Sequence, residues 1–548
     1  MADAPIEKSR DPLKISREEQ NQHLEDILEL SGGFGRFQVF QLVISLILSI
    51  LCSCNHLGAI FVSFSPRFRC GNSSPVAPLD QNLTLDETFS SNCSDRCLTH
   101  EFDESTMVRT FVTDFDLVCD RLYLLPTLTG VYMAGIVVFN GAGGILSDHF
   151  GRRKVILFLG ALHILSAFVT ILVSSSYVGI MVLRFFVGGS IHASWSAFFV
   201  LASELTVERR RGVSGGVLNF GWNLGTIFLA TVAFLLRDWH LLQWVFAGMS
   251  LVMVSYYFLV LESPRWLLRQ GKFIEAENVY FRIAKANGVN DPTVLELMQQ
   301  KLDMVRTVSE SILIEQDQGF LKDGSFRSFL KQAQERIAEL LRNQELVKRF
   351  ALMSIPWFAI GMASYGIHFS AKLVAFDIFS LTIIKEATVI VTIGVLVAFY
   401  AEMRRTITLF LLCGLSGGFC IAFLFLDESL SLTRGIWLIV CQALITSNFF
   451  LLNTYTAEVF STDVRNSVFS LIESFGKFGS LLAPFVVDLG GETHRGLPPA
   501  VFGMFLVLAA AVFLFMPETK SQPLTQGVED LKDEKNSIAV LCSSRLRK

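Results

Sequence analysis

The chain has 548 residues, of which 51% are hydrophobic and only 18% charged, with a formal net charge of -4. Soluble chains of this size carry roughly a quarter charged residues and divide into several domains. So small a net charge argues against nucleic acid as a partner. The remaining charges bunch between long apolar runs, which is the pattern a bilayer imposes.

Residues 1–36 are polar, with no apolar signal segment, and read as a cytoplasmic N-terminal segment; the first membrane helix then acts as its own insertion signal. Apolar stretches of spanning length follow at 38–64, 122–146, 155–173, 177–203, 213–236 and 240–261. Six more lie at 348–370, 376–400, 406–426, 433–455, 466–489 and 497–516. Each approaches the ~20 residues that cross a hydrocarbon core. The stretches at 376–400 and 466–489 are the weakest, because each carries charges. The prediction is an all-α membrane protein of about twelve helices in two six-helix halves, 37–261 and 348–516, with a cytoplasmic linker at 262–347 and a cytoplasmic tail at 517–548. Within the linker, Phe273–Lys285 and Phe326–Arg342 read as amphipathic helices. Two similar halves joined this way are the layout of alternating-access carriers, with the binding site near the midplane between them.

Basic residues in short loops set the orientation. Arg152, Arg153 and Lys154, then Arg209 to Arg211, Arg404, Arg405 and Arg465 all fall on one side, with both termini and the linker, and that side is assigned to the cytoplasm. The large loop at 66–121 falls on the opposite, extracellular side. It carries three N-x-S/T sequons, at Asn72, Asn82 and Asn92, which are expected to be glycosylated. It also holds Cys70, Cys93, Cys97 and Cys119, enough for two disulfides in any of three connectivities.

The turn between the second and third stretches reads Gly144-Ile-Leu-Ser-Asp148-His149-Phe-Gly151-Arg152-Arg153. It resembles the G-x-x-x-D-R-x-G-R-R signature of the major facilitator superfamily, with His149 in place of an arginine. A carboxylate at a helix end can pair with the arginines and cap backbone groups. Phe115-Asp-Leu-Val-Cys-Asp120, Glu262-Ser-Pro-Arg-Trp-Leu267, Thr456-Ala-Glu458 and Arg465-Asn466 narrow the likeness. With the large loop, they make the chain similar to the organic cation, organic anion and carnitine transporter family of solute carriers, as a divergent member. The likeness runs from about Gly33 to Pro523. It wears thin in the second half, where Tyr400-Ala-Glu402-Met-Arg404-Arg405 is a degraded copy of the first-half turn.

The resemblance implies a gating network of Asp148, Arg152, Arg153, Glu204, Arg209, Glu262 and Arg265, joined from the second half by Glu458 and Arg465. It also implies a substrate cavity. Trp195, Trp222 and Trp357 match aromatic cavity positions, whose rings can hold an ammonium or stack on an aromatic body. Lys477 stands where cation carriers resemble one another in an acid and anion carriers in a base, although Glu473, one turn earlier, could simply neutralise it. Glu386 matches an acidic cavity position, His192 a lysine, and Gln442 a basic residue. His56 also lies within a span. An aromatic cage beside a lysine suits an anion or a zwitterion; a cation is the lesser expectation.

No phosphate loop for ATP and no zinc spacing appears, so neither cofactor nor metal is expected. No catalytic set stands out either, and the chain is not expected to be an enzyme. The expected function is alternating-access transport of a small organic ion across the plasma membrane, by uniport or exchange. The rival is a receptor or sensor that keeps the carrier fold without cycling.

Overall fold

The computed structural model describes residues 17–70, 99–317, 344–374, 376–399, 402–427, 429–460 and 465–520. The three sequons, Cys93, Cys97 and the expected helix at 326–342 lie outside the described residues.

The first half contains α1 (Arg36–Leu57, continued by Ala59–Val62), α2 (Leu124–Phe150), α3 (Arg152–Leu172), α4 (Tyr177–Glu204), α5 (Arg211–Leu236) and α6 (Trp239–Ser250, continued by Val252–Leu259). The second half contains α7 (Gln344–Phe369), α8 (Ile378–Phe399), α9 (Arg405–Ala422), α10 (Ser431–Val459), α11 (Arg465–Thr493) and α12 (Leu497–Phe513). Ten of these helices are long and apolar enough to cross a membrane. The other two are α12, at 17 residues, and α11, which carries Glu473, Lys477 and Asp488. The chain is thus a multi-pass membrane protein. Its termini-bearing face and its large-loop face are called here the terminal side and the loop side.

Within each half the helices pair in the same order. Helix α1 packs on α5, α2 on α4, α3 on α4 and α6; six helices later, α7 packs on α11, α8 on α10, and α9 on α10 and α12. The halves meet where α2 packs on α11 and α5 on α8. Small residues allow the closest approaches, as expected where lipid removes most of the hydrophobic drive between helices. A side chain at Gly361 in α7 would overlap the backbone of Gly476 in α11, so glycine is required at 361 for this approach.

On the loop side, Phe61 at the end of α1 stacks on Phe379 at the start of α8, with centroids 5.4 Å apart and planes 4° from parallel. Phe234 of α5 meets the same ring edge-on at 5.5 Å. The halves therefore touch there through aromatic rings. The large loop begins and ends in a short hairpin, with Phe68–Cys70 antiparallel to His100–Phe102. Cys119 is disulfide-bonded.

On the terminal side, a helix at Arg17–Leu30 docks on the linker helices Phe273–Asn287 and Pro292–Asp317. Leu24, Ile27 and Leu28 bury against the group containing Tyr280, Ile283, Met298 and Leu302. Glu25 pairs with Arg265, and Asp26 with Lys301 at 2.5 Å. Asn287 then ties this bundle to the membrane: its side chain accepts from Phe37 N at 2.9 Å and donates to the Ser31 carbonyl at 2.9 Å.

Candidate functional site

The helix phases of α1, α4, α5, α7 and α11 bring a polar and aromatic cluster together between the halves. Lys477 of α11 is only 7% exposed, and its Nζ lies 3.1 Å from His192 Nε2 in α4. A charged lysine has no lone pair, so it donates and His192 Nε2 accepts. The imidazole proton then sits on Nδ1, which has no partner. Glu473, one turn before Lys477, lies 3.6 Å from the same ammonium. Lys477 thus meets both His192 across the halves and Glu473 on its own helix.

Around this pair stand rings. His56 of α1 lies 5.8 Å from His192, 5.3 Å from Trp222, 5.5 Å from Tyr132 and 4.5 Å from Tyr365 across the halves. Trp195 lies 5.5 Å from His192 and 6.2 Å from Trp222, and donates from Nε1 to Ser49 Oγ at 2.8 Å. Both His56 nitrogens are buried without partners, as is the Tyr132 hydroxyl. Unpaired polar atoms in a membrane core are costly. Their concentration at one place, beside a lysine and two tryptophans, is what a site for a polar solute looks like.

The structure gathers Trp195, Trp222, His192 and Lys477 into this cluster and gives three other expected members hydrogen-bond partners of their own. Trp357 is buried within the second half, donating to Thr456 Oγ1 at 3.0 Å and edge-on to Phe449 and Phe469, so it serves packing. Glu386 is held by His368 Nε2 at 2.9 Å, while His368 Nδ1 faces the Ser364 carbonyl at 2.6 Å. That pair laces α8 to α7, and its neighbour Lys385 is fully buried with no hydrogen-bond partner for Nζ. Gln442 turns along its own helix to Thr446 Oγ1 at 3.0 Å. Tyr365 and Tyr132 were not singled out from the sequence. A tyrosine in mid-span is the available signal, since this chain uses 49 Phe against 9 Tyr.

At the terminal side the expected charge network resolves into two clusters. In the first half, Arg152 pairs with Asp148 at 2.8 Å and Glu204 at 3.2 Å. Glu262 accepts from the backbone N–H groups of Arg152, Arg153 and Ser263 at 2.9, 3.2 and 2.9 Å. Burial pushes the Glu262 carboxyl above its ordinary range, against the pull of those donors. Gly151 starts this turn at φ +101°, and a Cβ there would run into the Glu262 carboxylate. Arg153 donates to the Tyr257 carbonyl at 2.7 Å. Arg265 turns away to Glu25, and Arg209 is exposed.

In the second half, Arg405 lies 3.5 Å from Glu458, which also accepts from Thr519 at 2.6 Å. Glu518 accepts from Arg405 N at 2.9 Å and Thr406 Oγ1 at 2.7 Å. Glu518 thus stands to α9 as Glu262 stands to α3, and no sequence signal had marked it. The Arg465 side chain lies outside the described residues. Between described residues, no ion pair joins one cluster to the other.

Two six-helix halves with the same internal packing, meeting around a buried polar cluster, make a two-repeat polytopic bundle. The sequence profile of the Major Facilitator Superfamily matches residues 122–484, well over half the chain, and the chain belongs to that superfamily. Similar curated proteins include organic anion transporter 3 of Oryctolagus cuniculus, 26% identical over 533 residues, covering 93% of this chain and 93% of the relative. The organic cation transporter protein of Drosophila melanogaster is also 26% identical, covering 92% of this chain and 94% of that one. Solute carrier family 22 member 20 of Mus musculus is again 26% identical, covering 92% and 93%. The resemblance to organic-ion transporters read from the motifs is therefore borne out. Among solved structures, the partially occluded inward-open xylose transporter XylE from E. coli aligns with a TM-score of 0.59 at 15% identity, over 89% of this chain and 99% of that one, a likeness of fold alone.

Proposed function

We propose that this chain carries a small organic anion or zwitterion across the plasma membrane by alternating access, as a uniporter or exchanger. The observation that carries the reading is the hydrogen bond between Lys477 and His192, which joins the two halves through a cluster rich in unpaired polar atoms. An organic anion placed there takes the Lys477 donor from His192 and stacks on Trp222, Trp195 or Tyr365. Because the bond spans the halves, binding acts directly on the contact that must open and close. The curated relatives, named for organic anions and organic cations, support this substrate class.

The rigid bodies are the halves 37–261 and 348–516, linked by 262–347. The terminal side is the cytoplasm, by the placement of basic residues in its short loops. The phenylalanine contacts on the loop side support reading this as an inward-facing state. The clusters around Arg152 and Arg405 form the cytoplasmic gate and come together in the outward-facing state. Transport runs on solute gradients, without ATP.

The test is uptake by cells expressing the chain, with labelled organic anions, zwitterions and cations, and Lys477→Ala in parallel at matched surface amounts. Saturable uptake of an anion or zwitterion that falls at least about tenfold in Lys477→Ala is expected, the loss of a charged hydrogen bond. Uptake of cations alone, indifferent to Lys477, would overturn the reading.

A further inference from the structure

A second polar pocket lies in the first half, apart from the central site and closer to the loop side. Arg184 sits seven residues into α4 and is 7% exposed. Its guanidinium lies 5.4 Å from the ring of Phe111, in the short helix of the large loop, and 5.6 Å from the ring of Tyr132 in α2. Among the described residues it makes no hydrogen bond or ion pair, and its Nε is buried without a partner. Beside it is a small cavity lined by the amides of Asn55 and Gln243, by Thr170 and by Tyr132, with no carboxylate among the lining residues. Asn55 donates one amide hydrogen to the Leu51 carbonyl at 3.0 Å. The Tyr132 hydroxyl is also buried and unpartnered.

A guanidinium stays charged at any physiological pH and presents donors only. Buried in a membrane bundle, it requires a counter-charge. The two rings meet the guanidinium as π-systems and supply no hydrogen-bond acceptor, so its N–H groups still lack one. We infer that this pocket holds a single halide ion, such as chloride, as a resident counter-ion of Arg184. The cavity has room for about one water-sized occupant, which excludes the organic cargo. Tyr132 links the pocket to the centre, since the ring beside Arg184 is the ring 5.5 Å from His56. Occupancy therefore steadies the α1–α2–α4 contact on which the central cluster rests. The inference stands independently of which organic ion is carried.

The experiment is thermal unfolding of the purified full-length protein, followed by tryptophan fluorescence, as chloride or bromide replaces gluconate at constant sodium. The expected result is a saturable rise in midpoint with the small anions, retained in Lys477→Ala and lost in Arg184→Gln. Gln243→Leu, which keeps the arginine, should raise the half-saturating chloride concentration by about tenfold, as expected for losing one hydrogen bond to an ion. It decides the matter if Arg184→Gln does not fold. A midpoint that ignores the anion in the unmodified protein overturns the inference. So does an anion response that survives Arg184→Gln, or Gln243→Leu where the arginine variant cannot be made, or that vanishes only in Lys477→Ala.

Discussion

The charge clusters at the terminal ends of α3 and α9 are two versions of one device. In each, an arginine opens a helix, a glutamate from the far end of the same half accepts its backbone N–H at 2.9 Å, and a second glutamate meets its side chain. The first version has the motif apart from His149, which replaces an arginine. The second has lost the glycine and the aspartate, yet keeps the contacts through Glu518 and Glu458. The lesson is that a worn motif need not mean a lost mechanism, because the contacts depend on where carboxylates arrive in space. The surviving difference is specific. Gly151 occupies φ +101°, whereas Arg404 at the matching helix start is extended, at φ -81° and ψ 120°.

That comparison can be broken at several points. The largest effect is expected from Arg152→Ala. Its side chain is 5% exposed between two acids, and removing it leaves them facing each other at a cost of about 3 kcal/mol. Arg405→Ala should cost less, because Arg405 is more exposed and its ion pair is longer; thermal unfolding of both variants checks the order. Gly151→Ala should cost about 2 kcal/mol through backbone strain and collision with Glu262, while Arg404→Ala should be close to silent in the same assay. Equal costs at the two positions would mean the turns are not the divergent pair described. Asp148→Ala should cost under ~1 kcal/mol of stability, since Asp148 is 70% exposed, yet should cut uptake at matched surface amounts. Unchanged uptake would remove Asp148 from the gate. The smallest effect concerns pH. A carboxyl raised by burial stabilises the fold below its unfolded pKa, and that contribution fades as pH rises through the higher folded value. Glu262→Gln should therefore flatten the unfolding midpoint across the region from the ordinary glutamate pKa upward, relative to the unmodified protein.

Much of the fold was legible in the sequence, because the bilayer enforces long apolar runs; the predicted spans match the observed helices to within about four residues. Helix α11 was harder to see because Glu473, Lys477 and Asp488 interrupt its hydropathy. The docked helix at Arg17–Leu30 was missed because its apolar face is narrow, with Leu24, Ile27 and Leu28 buried among charges. Of the site, Lys477, His192, Trp195 and Trp222 were legible through the family's spacing. Linear spacing does not reveal that Trp357 donates to Thr456 and stands edge-on to Phe449 and Phe469. Nor does it reveal that Glu386 meets His368 of the neighbouring helix, a contact only the fold brings about.

The central claim is that substrate binding works through the Lys477–His192 contact between the halves. The direct measurement is a double-mutant cycle on KM for the anion or zwitterion taken up, with Lys477→Ala, His192→Ala and the pair together. The account expects strong non-additivity, with the double variant close to the worse single one and a coupling of about 1 kcal/mol or more. Effects that simply add would contradict it and place the two residues in separate roles.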